Sequence, residues 1–142
     1  MLKNPLSLRP SKTDDLSWLN SFYESQMKPL VEQTHTWNST IFKKSFDSQN
    51  TSIIKHNSED IGMLKVQRHD DFIYLADILI KPEFQNRGLG TSLILELISE
   101  AKQKNIPLKL RVLRVNPVRS LYDRLGFTVV AEDEYAVFMV IH

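Results

Sequence analysis

The sequence predicts a mixed α/β fold: a central, mostly antiparallel sheet with one βαβ unit, in the order β-α-α-β-β-β-α-β-α-β-β. Three observations predict it. Short apolar runs at 51–55, 61–66 and 72–80 are separated by clusters of turn-forming residues, which suits antiparallel neighbours. A long amphipathic helix pattern at 91–104 stands between the apolar runs 72–80 and 108–115, so those two strands should lie parallel. Gly88-Leu89-Gly90 marks the exit from strand to helix.

Each element has a local cause. Leu6-Ser7-Leu8-Arg9-Pro10 alternates as a first strand, and Pro10 ends it. Thr13 reads as a helix N-cap, with Asp14 and Asp15 suiting the positive helix end. Leu16, Leu19, Phe22 and Tyr23 follow at helical spacing, with Trp18 and Phe22 read as core. Lys28-Pro29 is expected to interrupt that helix. A second helix is expected over about 39–46. Residues 56–60 then turn one strand into the next, and His69-Asp70-Asp71 makes the following turn.

The helix over 91–104 carries Leu93, Ile94, Leu97, Ile98 and Ala101 on one side, with Lys102 and Lys104 at its negative end. Asn105 and Pro107 stop it. Asn116 reads as the cap of a short helix with Pro117 in its first position, and Gly126 ends that helix near Leu125. Two strands, 128–131 and 135–141, close the order.

At 142 residues the chain is read as a single domain over 1–142. The net charge of +1 gives no field favouring nucleic acid or membrane. There is no transmembrane-length apolar run, and residues 1–10 are too short and polar for a signal peptide, so a cytoplasmic protein is expected. Cysteine is absent. That removes disulfides and a thiolate zinc site, and no metal is expected. It also removes acyl transfer through a cysteinyl intermediate.

The stretch from Gln85 to Thr91 carries the chemistry. A chain entering a helix through Gly-x-Gly exposes unpaired backbone N–H groups, backed by the positive end of the helix dipole. Gly88 and Gly90 allow close approach of a bulky anion, and Arg87 adds positive charge at the rim. A P-loop would need a lysine after Gly90, and a dinucleotide fingerprint a third glycine where Leu93 stands.

Gln85-x-x-Gly88-x-Gly90, preceded by Ile80-x-Pro82, resembles the pyrophosphate loop of the GNAT superfamily of N-acetyltransferases. Leu121-Tyr122-Asp123-Arg124-Leu125-Gly126-Phe127 resembles that family's Leu-Tyr-x-x-x-Gly-Phe signature, and Leu8-Arg9-Pro10 with Asp15 downstream resembles its opening. The element order matches along almost the whole chain. The resemblance implies a GNAT fold that moves an acetyl group from acetyl-CoA directly to an amine in a ternary complex. It implies that Gln85, Asn86, Arg87, Gly88, Leu89, Gly90 and Thr91 bind the pyrophosphate. Backbone groups of Ile78, Leu79 and Ile80 would meet the pantetheine arm and polarise the thioester carbonyl.

Tyr122 matches the tyrosine that protonates the departing thiolate in that family; the alternative is a tyrosine anchoring its short helix. Asn116 matches an asparagine that touches CoA, but lies one residue closer to the tyrosine than the family pattern, so cap and CoA contact stand side by side. Arg119 and Arg124 reach either a CoA phosphate or solvent. Asp77, a carboxylate in an apolar run, is the candidate general base; otherwise it faces solvent or pairs with a lysine. Glu32, His35 and Trp37 fall in the segment that helps line the family's acceptor site, with His35 a second candidate base. The acceptor is not readable. Many relatives dimerise, and the final strands are where a homodimer would pair. The competing reading is a non-catalytic acyl-CoA-binding sensor or regulatory module.

Overall fold

The computed structural model of the protein describes residues 5–142, so residues 1–4 of the segment read against a signal peptide lie outside it. The predicted order holds: β1 Leu6–Pro10, α1 Leu16–Val31, α2 Ile41–Ser45, β2 Thr51–His56, β3 Glu59–Arg68, β4 Ile73–Ile80, α3 Leu89–Gln103, β5 Leu108–Leu113, α4 Arg119–Leu125, β6 Thr128–Glu132 and β7 Ala136–Ile141. All seven strands join one sheet in the order β1-β2-β3-β4-β5-β7-β6. β4 and β5 are parallel, as a helical crossover through α3 demands, and the other neighbours are antiparallel.

The sheet separates two apolar cores. On one face, the α3 stripe Leu93, Ile94, Leu97, Ile98 and Ala101 packs with Ile73, Leu75, Leu108 and Leu110, joined by Tyr122 and Phe127. On the other, Leu19 and Phe22 of α1 and Phe42 of α2 close over Ile53 and Met63. Each Leu, Ile, Phe or Met among them contributes roughly 1.5–3 kcal/mol by leaving water.

A break in the alternation of β4 positions the site. Lys65 faces Asp77 while the next residue, Val66, faces Leu75, so Ala76 is an extra residue bulged out of the ladder. Before the bulge Ile73 and Leu75 point into the α3 core; after it Ile78 and Ile80 do, and Leu79 turns to the α1 side. Asp77 therefore shares a face with Leu79 rather than with Leu75.

A polar cluster ties the first elements to the sheet. Arg9 grips both Asp15 oxygens at 3.0 and 2.9 Å and reaches Asp60 on β3 at 2.9 Å. Asp15 also accepts the Lys12 amide at 2.9 Å and the Trp18 indole at 3.2 Å. These partners, Arg9 foremost, hold the Asp15 carboxyl far below the usual range.

Several boundaries differ from expectation. Thr13 opens a short 3₁₀ turn, Thr13–Asp15, and is not the cap of α1, which starts only at Leu16. The helix runs through Pro29 to Val31, because beyond the proline the Glu32 N–H still reaches the Lys28 carbonyl at 2.9 Å. α3 begins two residues before the expected start, since Leu89 packs against the core and extends the stripe; Gly88, in the left-handed region at φ 77°, is its cap, and Gly90 lies in its first turn. α4 begins at Arg119, after a turn through Pro117 in which the Asn116 side chain accepts the Val118 N–H at 3.1 Å. Asn116 is therefore not the cap of α4, which is Val118, and Pro117 lies before the helix rather than in its first position; the Asn116 side chain instead closes the turn that leads into the helix.

Candidate active site

Parallel pairing of β4 with β5 covers only Ile73, Leu75 and the residue between them. Beyond Leu75 the two strands part, and the β5-side backbone edge of β4 is left without a ladder partner. A cleft opens at the carboxyl ends of the parallel strands, where ligands of βαβ units bind. It holds two cavities, of about 760 and 500 Å³, each of the size that takes a small molecule or cofactor. Met27, Ile78, Leu79, Asn116 and Val118 line both, so the cavities meet at the splay.

The larger cavity lies over the start of α3. Gln85, Asn86, Gly88, Leu89, Gly90 and Thr91 line it, with Ile80 and Phe84 behind. Asn86 and Gly88 both adopt positive φ, 61° and 77°, which turns successive amides to one side. Among the described residues, no backbone N–H from 86 to 91 donates to a protein acceptor; the first bond of the helix end runs from Ser92 N–H to Gly88 O at 3.0 Å. These orphan donors sit at the positive helix end, a fit for a diphosphate. A β-carbon on Gly88 would meet nothing within 4 Å, so glycine there serves the backbone angle rather than space.

The smaller cavity lies on the α1 and α2 side. Asp77 lines it with Tyr23, Tyr74 and Tyr122, and Lys65 and Arg111 stand at its wall. Burial pushes the Asp77 carboxyl up to about 6, with Lys65 opposing. No hydrogen bond from the described residues reaches it. Burial, reinforced by the Asp77 charge, pushes the Tyr122 phenol up to about 12 and raises Tyr23 and Tyr74 as well. Tyr122 is 5% exposed and packs edge-on to Phe127, so it does anchor α4; its hydroxyl has no protein partner and remains open to the cavity.

The cleft therefore brings Asp77, Tyr122, Ile78, Leu79, Ile80, Asn116 and most of the loop together. Arg87 is held over the Phe84 ring at 5.1 Å and does not line the cavity. The Gln85 side chain donates to the Ile80 carbonyl at 2.7 Å, tying the loop to the end of β4. Arg119 faces Asp123 at 3.9 Å outside the cavity, whereas Arg124 lines it; the helical phase of Ser120, Leu121 and Arg124 decides which arginine turns inward. His35 and Trp37 line the smaller cavity, with the Trp37 indole on Glu24 at 3.0 Å; Glu32 is the exposed C-cap of α1 and does not.

Sequence reasoning missed Gly62. A β-carbon there would stand 2.0 Å from the Leu79 carbonyl oxygen, so β3 and β4 can lie together at the splay only over a glycine. A lone glycine inside a strand was the available signal. Among the described residues no cluster of His, Cys, Asp and Glu is placed to hold a metal ion, and no helix is long and apolar enough to cross a membrane.

The sequence model of the Acetyltransferase (GNAT) family matches residues 15–127. Over 91 residues, 62% of this chain, the sequence is 31% identical to the spore coat polysaccharide biosynthesis protein SpsD of Bacillus subtilis (strain 168), and the chain spans about 30% of that relative's length. The fold is similar to that of PaiA N-acetyltransferase from Thermoplasma acidophilum in complex with coenzyme A, with a TM-score of 0.76 at 23% identity over 95% of this chain and 97% of that one. It is also similar to ribosomal-protein-S18-alanine N-acetyltransferase from Escherichia coli, with a TM-score of 0.65 at 22% identity over 96% and 92% of the two chains.

Proposed function

Because the chain belongs to the acetyltransferase (GNAT) family, we propose that it moves the acetyl group of acetyl-CoA directly to an amine, both substrates being held in one cleft. The observation that carries this reading is the meeting of the two cavities at Ile78, Leu79 and Asn116. One cavity fits a diphosphate-bearing donor and the other holds a carboxylate and a phenol. When bound, acetyl-CoA supplies an activated acyl carbonyl and a thiolate leaving group.

The chain's own groups do the rest. The N–H groups of residues 86–91 grip the diphosphate, and Arg124 adds charge at the same wall. The open edge of β4 takes the amides of the pantetheine arm as an added strand would. N–H groups near Leu79 and Ile80 polarise the thioester carbonyl, and Gly62 keeps that stretch of backbone in place. Asp77, ionised above about pH 6, accepts a proton from the substrate ammonium. Tyr122, neutral up to about pH 12, gives its proton to the CoA sulfur. The chain has no cysteine, so transfer proceeds without a cysteinyl intermediate. Much of the rate would come from positioning two substrates together.

The reading is tested by release of free thiol from acetyl-CoA across a panel of amines, amino sugars included because SpsD is a polysaccharide biosynthesis protein. Release that needs both an amine and Tyr122 supports it. CoA binding with no thiol released by any amine favours the non-catalytic sensor instead.

A further inference from the structure

In the transferase reading, the reacting carbon lies where the donor and acceptor cavities meet. The amides that fit a diphosphate line the larger cavity, and Asp77 and Tyr122 line the smaller one. An acyl group passing between the substrates therefore sits in the neck walled by Met27, Ile78, Leu79, Asn116 and Val118. Helix α1 crosses that neck. Its row Tyr23, Met27 and Val31, spaced four residues apart, faces the smaller cavity. Gln26, Pro29 and Leu30 face the larger one, and Met27 alone of α1 lines both.

The other walls of the neck are held in place. The Ile78 side chain packs into the α3 core, and Leu79 packs against the core under α1. The Asn116 side chain accepts the Val118 N–H at 3.1 Å, and Val118 itself packs against the α3 core. The helix is pinned next to Met27. The Gln26 side chain accepts from that of Gln85 at 3.3 Å, Glu24 accepts the Trp37 indole N–H at 3.0 Å, and the Tyr23 ring lies 4.6 Å from that of Phe42. Among the five wall residues, Met27 is the one long, unbranched side chain. A thioether arm fills irregular space between fixed neighbours, so the free width of the neck is set by Met27.

We propose that Met27 sets the length of the acyl group this protein transfers, leaving room for acetyl and turning longer chains away. The proposal rests on the transferase reading. With any acyl donor the amine nitrogen bonds to the carbonyl carbon and the C–S bond breaks. The amine proton passes to Asp77, and the thiolate takes the Tyr122 proton. A longer chain must extend from the carbonyl carbon within the neck, where its added methylenes meet the thioether arm. An apolar site separates substrates that differ by one methylene by about 10–200-fold. Diphosphate and pantetheine contacts are common to every acyl-CoA, so they cancel from the comparison and the acyl end decides the preference.

The test compares kcat/KM for acetyl-, propionyl- and butyryl-CoA with the best amine of the panel. Wild-type protein should favour acetyl-CoA over butyryl-CoA by about 100-fold or more. Met27→Ala should narrow that ratio by about tenfold and Met27→Val by about threefold, chiefly by admitting butyryl-CoA, while Met27→Leu, close in volume, should leave it as it was. A role for Met27 in packing alone would lower all three donors together and leave the ratio unmoved. Cooperative denaturant melts report that each variant is folded, and Met27→Val decides alone if Met27→Ala does not fold. Equal use of butyryl-CoA and acetyl-CoA by the wild type overturns the proposal, as does an unchanged ratio in a folded Met27→Ala or Met27→Val variant. In that case amine-dependent thiol release from acetyl-CoA still stands and the transferase reading survives. Thiol release from none of the three donors, with any amine, overturns both.

Discussion

Replacing Asp77 by asparagine should make the protein more stable and nearly inactive at once. Raising a carboxyl from its ordinary 3.8 to about 6 costs about 1.4 kcal/mol per pH unit, or about 3 kcal/mol in all. An acid whose folded value lies above its unfolded one subtracts stability once it ionises. The loss sets in as pH rises past about 4 and is complete above about 6. Asparagine removes that charge at the cost of an amide with unmet hydrogen bonds, about 1 kcal/mol. The net gain at pH 8 is about 1–2 kcal/mol, or a few degrees in Tm, and it should shrink below pH 5 where the wild-type carboxyl is protonated. The same change should lower kcat by about 10²–10⁴-fold and remove an acidic limb near pH 6 from the wild-type kcat/KM profile. Denaturant titration at pH 5 and pH 8, run beside pH–rate profiles, measures both. A variant less stable than wild type at pH 8, or one that keeps the acidic limb, would refute the reasoning that Asp77 is a desolvated base.

Three further outcomes follow from the same geometry. Tyr122→Phe should cut turnover by about 10²–10³-fold with CoA affinity intact, read by thiol release and calorimetry, because the phenol is needed only where the sulfur gains charge; unchanged turnover would remove Tyr122 from the chemistry. Gly62→Ala should cost about 2–3 kcal/mol in a denaturant melt, since its β-carbon meets the Leu79 carbonyl oxygen 2.0 Å away; a variant as stable as wild type would refute the close approach of β3 and β4 there. Stability should fall as pH drops from about 4.5 to 2, because Asp15, Asp60 and Glu100 (the last lowered to about 2) keep their charge well below the unfolded values; Arg9→Ala, which strips the main partner from two of them, should lower neutral-pH stability and flatten that acid slope.

The element order was legible because each turn is spelled in local residues and each strand or helix in its own period. The anion loop was legible for the same reason, since Gly88 and the helix stripe lie side by side in the chain. The bulge at Ala76 was not. Residues 78–80 are apolar on both faces, so no alternation reveals that the ladder slips by one residue, and the facing of Asp77 depends on that slip. The choice between Arg119 and Arg124 needed the phase of a seven-residue helix whose start was misplaced. Pro29 read as a break because propensity cannot see a following turn closed by the Glu32 N–H.

The account depends most on the amides at the start of α3. A crystal structure of the protein with coenzyme A tests them directly. The diphosphate oxygens should lie about 2.7–3.2 Å from N–H groups within residues 86–91, with the pantetheine arm against the open edge of β4 and the sulfur near Tyr122. A diphosphate bound away from these amides, or CoA held outside the splay between β4 and β5, would contradict the account.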